Sequence, residues 1–372
     1  MFKESLEKLG FVQSSYDECL FTRNGLVVLC HVDDCLLFHK DDAQIDSFMQ
    51  ELKDLLPANN EAVESSEHMT VYQYLGIEVI MEHKGSHRTV TLKQTRLIKR
   101  ILEAMQMANC NPRRTPANEE MLGMDKTGPP FHDTWDYASI VGMMMYLVNT
   151  RPDIQTAVHQ CARFTHNAKK CHGEAAKHIA RYLQGTSDRG LEFKLGNWPN
   201  LQLDAYVDSS FANLFSVEDP QDPISSKSRS GYVFYFCGCP IHWVSSLQKL
   251  TTVSVNESEY VALSECMREL LPMRGLAQEL GTNLSIQLST STIRSKVFSD
   301  NSGAIGLAKA PSMKSRTRHL NQRYHFFRQH IGSEEHQIDL QHVRSENNIA
   351  DHFSKCLGPY LFEKLRKLLM GW

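Results

Sequence analysis

No run of apolar residues in this chain reaches the roughly 18 that a membrane-spanning helix requires, so a bilayer-embedded protein is not expected. The N-terminal MFKESLEKLGF has no apolar core behind a basic start and does not read as a secretory signal. Intracellular residence, cytoplasmic or nuclear, is the expectation. Cysteine pairs at metal-binding spacing are also missing. The ten cysteines stand at 19, 30, 35, 110, 161, 171, 237, 239, 266 and 356, and none forms a CxxC. Zinc ligation is therefore not expected, and reduced, mostly buried thiols are. Charge of one sign is not in excess: 40 Lys and Arg face 43 Asp and Glu, a net −3, so overall charge selects no nucleic-acid partner. Internal repeats and low-complexity tracts are absent, which argues against a solenoid or a disordered chain.

What is present is ordinary for a globular protein with two or three cores: 372 residues, 41% hydrophobic and 22% charged. The charge is unevenly spread. Six Lys or Arg and no acid lie between Lys309 and Arg328, and a second basic stretch is LKQTRLIKR at 92–100. Such patches either form a solvated face or track phosphates.

The first hundred residues alternate strand-like and helix-like patterns. LVVLCHVDDCLLFHK at 26–40 reads as a hairpin turning at its two aspartates. DDAQIDSFMQELKDLL at 41–56 places Ile45, Phe48, Met49, Leu52, Leu55 and Leu56 at helical spacing. Strand-like YQYLGIEVIME (72–82) and TVTLKQ (89–94) follow, then a basic amphipathic helix at 95–105. The Asn-, Pro- and Gly-rich stretch 109–134 reads as a linker. Helices are expected at 137–148, 152–164 and 174–185, with Pro152 and Gly185 as start and stop signals. From about 199 the pattern becomes that of a mixed α/β sheet: strands at 201–208, 230–238 and 240–246, a long helix from Asn256, a strand at 295–300 leading into a helix, a strand at 336–343, and two closing helices. Pro272 is expected to kink or end the long helix.

Four acids in this last region stand at the ends of strands or the starts of helices: Asp208, Glu259, Asp300 and Asp351. Acids at strand C-termini of an α/β sheet point into the crevice where ligands bind. Converging carboxylates need a cation, because like charges raise one another's pKa. Two Mg²⁺ ions about 4 Å apart would meet that need and serve phosphoryl transfer. Helix capping explains the same positions equally well, and the residues alone leave both readings open.

A resemblance bears on the choice. The blocks SKSRSGYVFYFCGCPIHWVSS, ESEYVALSE, VFSDNSGAIGLAK, RTRHLNQRYHFFR and NNIADHFSK follow one another in the order found in copia-type retrotransposon Pol polyproteins, whose ribonuclease H domain residues 201–372 resemble. The resemblance implies that Asp208, Glu259, Asp300 and Asp351 are metal-binding and catalytic, with Glu259 preferred over Glu257. It also implies that two Mg²⁺ ions (or Mn²⁺) serve to cut the RNA strand of an RNA–DNA hybrid, leaving a 5′ phosphate and a 3′ hydroxyl. Arg316, Arg318, His319, Arg323 and His325 form a basic cluster that the family shares, and hybrid-backbone contacts are the implied role. The run Asp208-Ser209-Ser210-Phe211-Ala212 departs from the family's Asp-Ala-Asp-Trp-Ala.

The upstream half resembles the later part of the same polyprotein's reverse transcriptase. HVDD at 31–34 matches the polymerase Tyr-x-Asp-Asp box, with His31 for Tyr, and YLGIEV and SIVGMMMYLVNTRPDI fit the stretch beyond it. Asp33 and Asp34 would then be a remnant polymerase metal site, since the third aspartate and the fingers cannot fit ahead of His31. Polymerase activity from this chain alone is not expected. The implied organisation is a partial reverse transcriptase (1–108), a linker and helical connection (109–198) and a ribonuclease H-like domain (199–372). The implied fold class is mixed α/β (α+β), a palm-like region followed by a ribonuclease H-like mixed sheet with helices. The expected partners are an RNA–DNA hybrid and other parts of the same polyprotein. A catalytically silent relic that binds nucleic acid or protein is the rival.

Overall fold

The computed structural model describes residues 2–59, 64–84, 87–196, 201–286, 293–311, 324–332 and 338–372. Its first sheet is four antiparallel strands in chain order: β1 (Val12–Gln13), β2 (Leu20–Arg23), β3 (Leu26–His31) and β4 (Asp34–Phe38). Asn24 and Gly25, with φ of 49° and 83°, make the two-residue turn between β2 and β3. The next hairpin turns at Val32 and Asp33, where the paired acids predict it. Helices α1 (Phe2–Lys8) and α2 (Asp42–Lys53) bury Leu6, Phe48, Met49 and Leu52 against Phe21, Leu26 and Val28. Each such side chain contributes about 1.5–3 kcal/mol. Asp41 starts α2, its carboxylate accepting the Ala43 N–H at 3.1 Å.

The second sheet is β5 (Glu64–Ser65), β6 (Met69–Tyr74), β7 (Ile77–Lys84), β8 (His87–Lys93) and β9 (Leu191–Leu195), again in chain order. Residues 72–82 are therefore not one strand. Leu75 and Gly76, with φ of 49° and 72°, turn the chain, and Tyr72 pairs with Val79. Leucine keeps the run apolar across the turn, which is why hydropathy hides it. Helices α3 (Thr95–Ala104), α4 (Tyr137–Leu147), α5 (Gln155–Ala162) and α6 (Lys170–Gln184) share one core around Ile98, Ile101, Ile140, Met144, Val158 and Ile179. The stretch 109–134 contains no helix or strand, yet it is tied down. Phe131 stacks near Trp135 at 4.6 Å, Gly123 accepts from the His172 ring at 3.0 Å, and Lys126 pairs with Asp219. The TRPD sequence at 150–153 forms a buried ion pair, with Arg151 donating to both Asp153 oxygens at 2.9 and 2.8 Å and Tyr182 donating to Asp153 at 2.5 Å.

The third sheet is mixed. β10 (Leu203–Ser210), β11 (Arg229–Phe236) and β12 (Cys239–Leu247) are antiparallel, and β13 (Ser295–Ser299) and β14 (Ile338–His342) run parallel to β10, in the order β12-β11-β10-β13-β14. Helix α7 (Val255–Asn283) packs Tyr260, Leu263 and Met267 on the face lined by Leu203, Ala205 and Val207. α8 (Ser302–Lys309) follows β13, while α9 (Asp351–Ser354) packs Phe353 against Val233 and Tyr235 on the opposite face. The closing helix α10 (Pro359–Met370) returns Phe362 and Leu365 to the core of α3–α6. Pro272 does not end α7, which runs 29 residues through it. One ladder bond is lost there, but Leu270 and Arg274 are buried on either side, and that packing holds the helix together. The penultimate helix is shorter than NNIADHFSKCL predicts, only four residues after a 3₁₀ turn at Ser345–Asn347. The whole is a mixed α/β structure, the fold class that the sequence implies.

Candidate active site

Three of the four acids meet at one end of the third sheet. Asp208 lies on β10, Asp300 directly follows β13, and Glu259 lies near the start of α7. One carboxylate oxygen from each falls within 4.8 Å of the other two. None of these acids caps a helix. Asn301 caps α8, accepting the Ala304 N–H at 2.8 Å. Ser254 caps α7, and Glu257, not Glu259, reaches back to the Val253 N–H at 2.9 Å. Asp351 lies outside that three-acid cluster but adjoins Asp208. Its Oδ1 accepts from Lys355 Nζ at 2.9 Å, and the same ammonium lies 3.1 Å from Asp208. Ser354 Oγ also donates to Asp208.

A glycine lets α9 come this close. Gly231 of β11 pairs with Asp208, and a Cβ there would stand 2.8 Å from Phe353 C, 2.8 Å from Ser354 N and 2.9 Å from Ala350 O. Backbone therefore rests on backbone, and Asp351, Ser354 and Lys355 reach the end of β10. On the other side Ser209 and Ser258 hydrogen-bond through their hydroxyls at 2.8 Å, joining β10 to α7. The departure from the family's pattern after Asp208 thus supplies a strand-to-helix tie.

Burial dominates the electrostatics. Asp208 is 1% exposed and its carboxyl is pushed up to about 7, first by burial and then by Asp351, against the pull of Lys355 and Ser354. Glu259 is pushed up to about 9 by burial, then by Asp208 and Asp300. Asp351 is raised by burial as well. Burial disfavours the Lys355 charge, but the Asp208 and Asp351 carboxylates outweigh it and raise the amine. Glu259 Oε2 is buried without a hydrogen-bond partner among the described residues. A buried anionic oxygen lacking a donor costs free energy that a cation would recover. All-oxygen donors of this kind fit Mg²⁺ or Mn²⁺.

Arg316, Arg318, His319 and Arg323 lie outside the described residues. His325 is described and is not on the surface: it is buried at 8% exposure and its Nδ1 lies 2.8 Å from Tyr260 Oη. A backbone-contact role does not suit it there, because the aromatic core of α7 takes the ring. Asp33 and Asp34 occupy the exposed β3–β4 turn, and among the described residues no third acid joins them in a metal-sized cluster. His342 donates to the Asp300 carbonyl at 3.1 Å. Lys355 and Ser354 were missed by sequence reasoning. The only signal was a lysine four residues after Asp351.

Residues 1–119 match the family model described as reverse transcriptase (RNA-dependent DNA polymerase). Across 99% of its length the chain is 31% identical to the retrovirus-related Pol polyprotein from transposon TNT 1-94 of Nicotiana tabacum, covering 26% of that protein. Across 96% it is 32% identical to the Pol polyprotein from transposon RE2 of Arabidopsis thaliana, covering 23%. The chain belongs to the copia-type retrotransposon Pol family. It spans about a quarter of the length of these curated relatives. A solved structure of a ribonuclease H1 isolated from compost covers 41% of this Pol segment, and 91% of that chain, at 16% identity and a TM-score of 0.27. So loose a superposition carries no argument. Among the described residues no helix is long and apolar enough to cross a membrane.

Proposed function

We propose that residues 199–372 of this Pol segment act as a ribonuclease H, hydrolysing the RNA strand of an RNA–DNA hybrid with divalent ions held by acidic side chains. One observation carries the reading. Asp208, Glu259 and Asp300 come from three separate elements, leave capping to their neighbours, and bring ligand oxygens within 4.8 Å of one another. Asp208, Glu259 and Asp300 would hold one Mg²⁺ or Mn²⁺, and Asp351 with Asp208 would take part in holding a second. Bound there, such ions supply positive charge that acidifies an attacking water and offsets the charge on the departing 3′ oxygen.

The chain's own residues prepare this chemistry. Ser354 and Lys355 orient Asp208 from one side, while the Ser209–Ser258 bond fixes the strand end against α7 from the other. The buried surroundings exclude water and so strengthen each charge interaction. Choice of the RNA strand would rest on 2′-hydroxyl contacts and hybrid shape, with the basic stretch after Lys309 as the phosphate-tracking surface. Residues 1–108 would serve as a docking platform for the hybrid or for other parts of the polyprotein; among the described residues no third acid joins the exposed Asp33 and Asp34 in a metal-sized cluster.

The test is cleavage of an end-labelled RNA–DNA hybrid with Mg²⁺, beside the Asp300→Asn variant. RNA-strand cleavage that falls in the variant by more than the ~100-fold seen on losing an outer-sphere partner supports the reading. A folded wild-type chain that leaves the hybrid intact would sink it and favour a catalytically silent binding relic.

A further inference from the structure

We propose that Lys355 is a built-in cation of the acidic site, whose ammonium takes the place between Asp208 and Asp351 that a second divalent ion needs. One ion then binds readily, and a second binds only by displacing the lysine. The inference rests on the reading of these carboxylates as a metal site and concerns how that site is loaded.

Geometry is the starting point. The three-acid cluster leaves Asp351 out, and Asp351 is the acid that Lys355 holds at 2.9 Å while also approaching Asp208 at 3.1 Å. Two buried carboxylates facing each other need a counter-charge, and here a side chain of the same short helix supplies it. The three groups differ in exposure. The Lys355 side chain is 37% exposed, whereas those of Asp208 and Asp351 are 1% and 5% exposed. The acids are thus fixed in the wall, and the lysine enters from solvent on a flexible stem.

Its backbone is fixed independently of its side chain. Lys355 caps α9 through its N–H to the Asp351 carbonyl at 3.0 Å, and α9 rests on Gly231. Swinging the ammonium outward therefore needs no backbone movement. An ammonium and a divalent ion cannot share one pair of carboxylates at contact distance, so entry of the second ion and exit of the lysine are one event. Once outside, the ammonium stands at the mouth of the site as a point charge suited to a phosphate.

The test is calorimetric titration of the full chain with Mn²⁺, comparing wild type with Lys355→Met and Lys355→Arg. We expect one ion on the wild type and on Lys355→Arg, and on Lys355→Met a second ion or a second-site affinity at least about tenfold higher, a free-energy change of about 1.4 kcal/mol. Two ions bound equally by wild type and Lys355→Met would overturn the inference and leave the metal site standing. No ion on either would overturn both the inference and the proposed nuclease. Should Lys355→Met not fold, acetylation of wild-type lysines read by mass spectrometry gives the answer. Lys355 should label slowly without metal and severalfold faster in saturating Mn²⁺, and equal labelling in both states overturns the inference.

Discussion

Replacing Gly231 by alanine is the sharpest probe of how this site is assembled. Three backbone atoms of the α9 segment would lie 2.8, 2.8 and 2.9 Å from the new methyl, where ordinary contact begins at about 3.4 Å. Since none of the three is the end of a flexible side chain, the helix has to shift as a body by about half an ångström or more. Overpacking of this kind costs about 1–3 kcal/mol, and relief of glycine's chain entropy in a strand returns roughly 0.5–1 kcal/mol. A net loss of up to about 2.5 kcal/mol follows, readable as a lower urea midpoint with an unchanged slope. The same shift carries Asp351, Ser354 and Lys355 away from Asp208, so Mn²⁺ affinity and hybrid cleavage should fall further than stability does. Gly142, inside α4 with nothing within 4 Å of its would-be Cβ, is the control, and Gly142→Ala should gain about 0.5–1 kcal/mol of helix propensity. A Gly231→Ala chain as stable and as active as wild type would refute the claim that backbone contact at this glycine positions α9.

Three further outcomes are expected. In metal-free protein, Glu259→Gln should be more stable than wild type by a margin that grows as pH rises from the ordinary 4.5 toward about 9. In that window the folded state binds the extra proton, so wild-type stability falls with pH by at most about 1.4 kcal/mol per pH unit; a margin that does not change with pH in thermal melts would refute the burial argument. Arg151 also donates to the Thr186 carbonyl at 3.0 Å and hydroxyl at 2.9 Å, so Asp153→Asn leaves its buried guanidinium without a carboxylate and should cost about 3–5 kcal/mol in denaturant titration; a loss below about 1 kcal/mol would show that Thr186 suffices. Asp33→Asn should leave hybrid cleavage unchanged, and a large loss in that assay would place the β3–β4 turn in the nuclease mechanism.

Much of this fold is legible in the residues. The spacing of Phe48, Met49 and Leu52 predicts α2 and its buried face, and the paired acids predict the β3–β4 turn. The third sheet follows from alternating strand and helix patterns. What escapes has definable causes. Leu75 carries a left-handed backbone inside an apolar run, so the turn beside it is marked only by Gly76. β9 pairs with β8 across nearly a hundred intervening residues, and no local pattern encodes so distant a partner. Pro272 obeys the rule that it breaks a ladder bond, but tertiary packing decides the helix. His325 looks basic and exposed in a charged segment, and only the position of Tyr260 shows that it is core.

The acids show why a site is harder to read than a fold. Each helix start near the site offers two candidate polar groups within three residues: Glu257 and Glu259 on α7, Asp300 and Asn301 at α8. Sequence position alone suits either member of a pair to capping. Structure separates them by hydrogen-bond accounting: Glu257 and Asn301 accept from backbone N–H groups within one turn, whereas Glu259 Oε2 is buried without a partner among the described residues. A capping acid is satisfied by its own helix and has no call on a distant residue. An acid left unsatisfied at burial must be neutralised by a proton, by another side chain or by an ion. Glu259 is held toward the proton, Asp208 and Asp351 share Lys355, and divalent ions would meet the need of each. The unmet demand for positive charge, more than the count of acids, marks this end of the sheet as a candidate site for divalent ions.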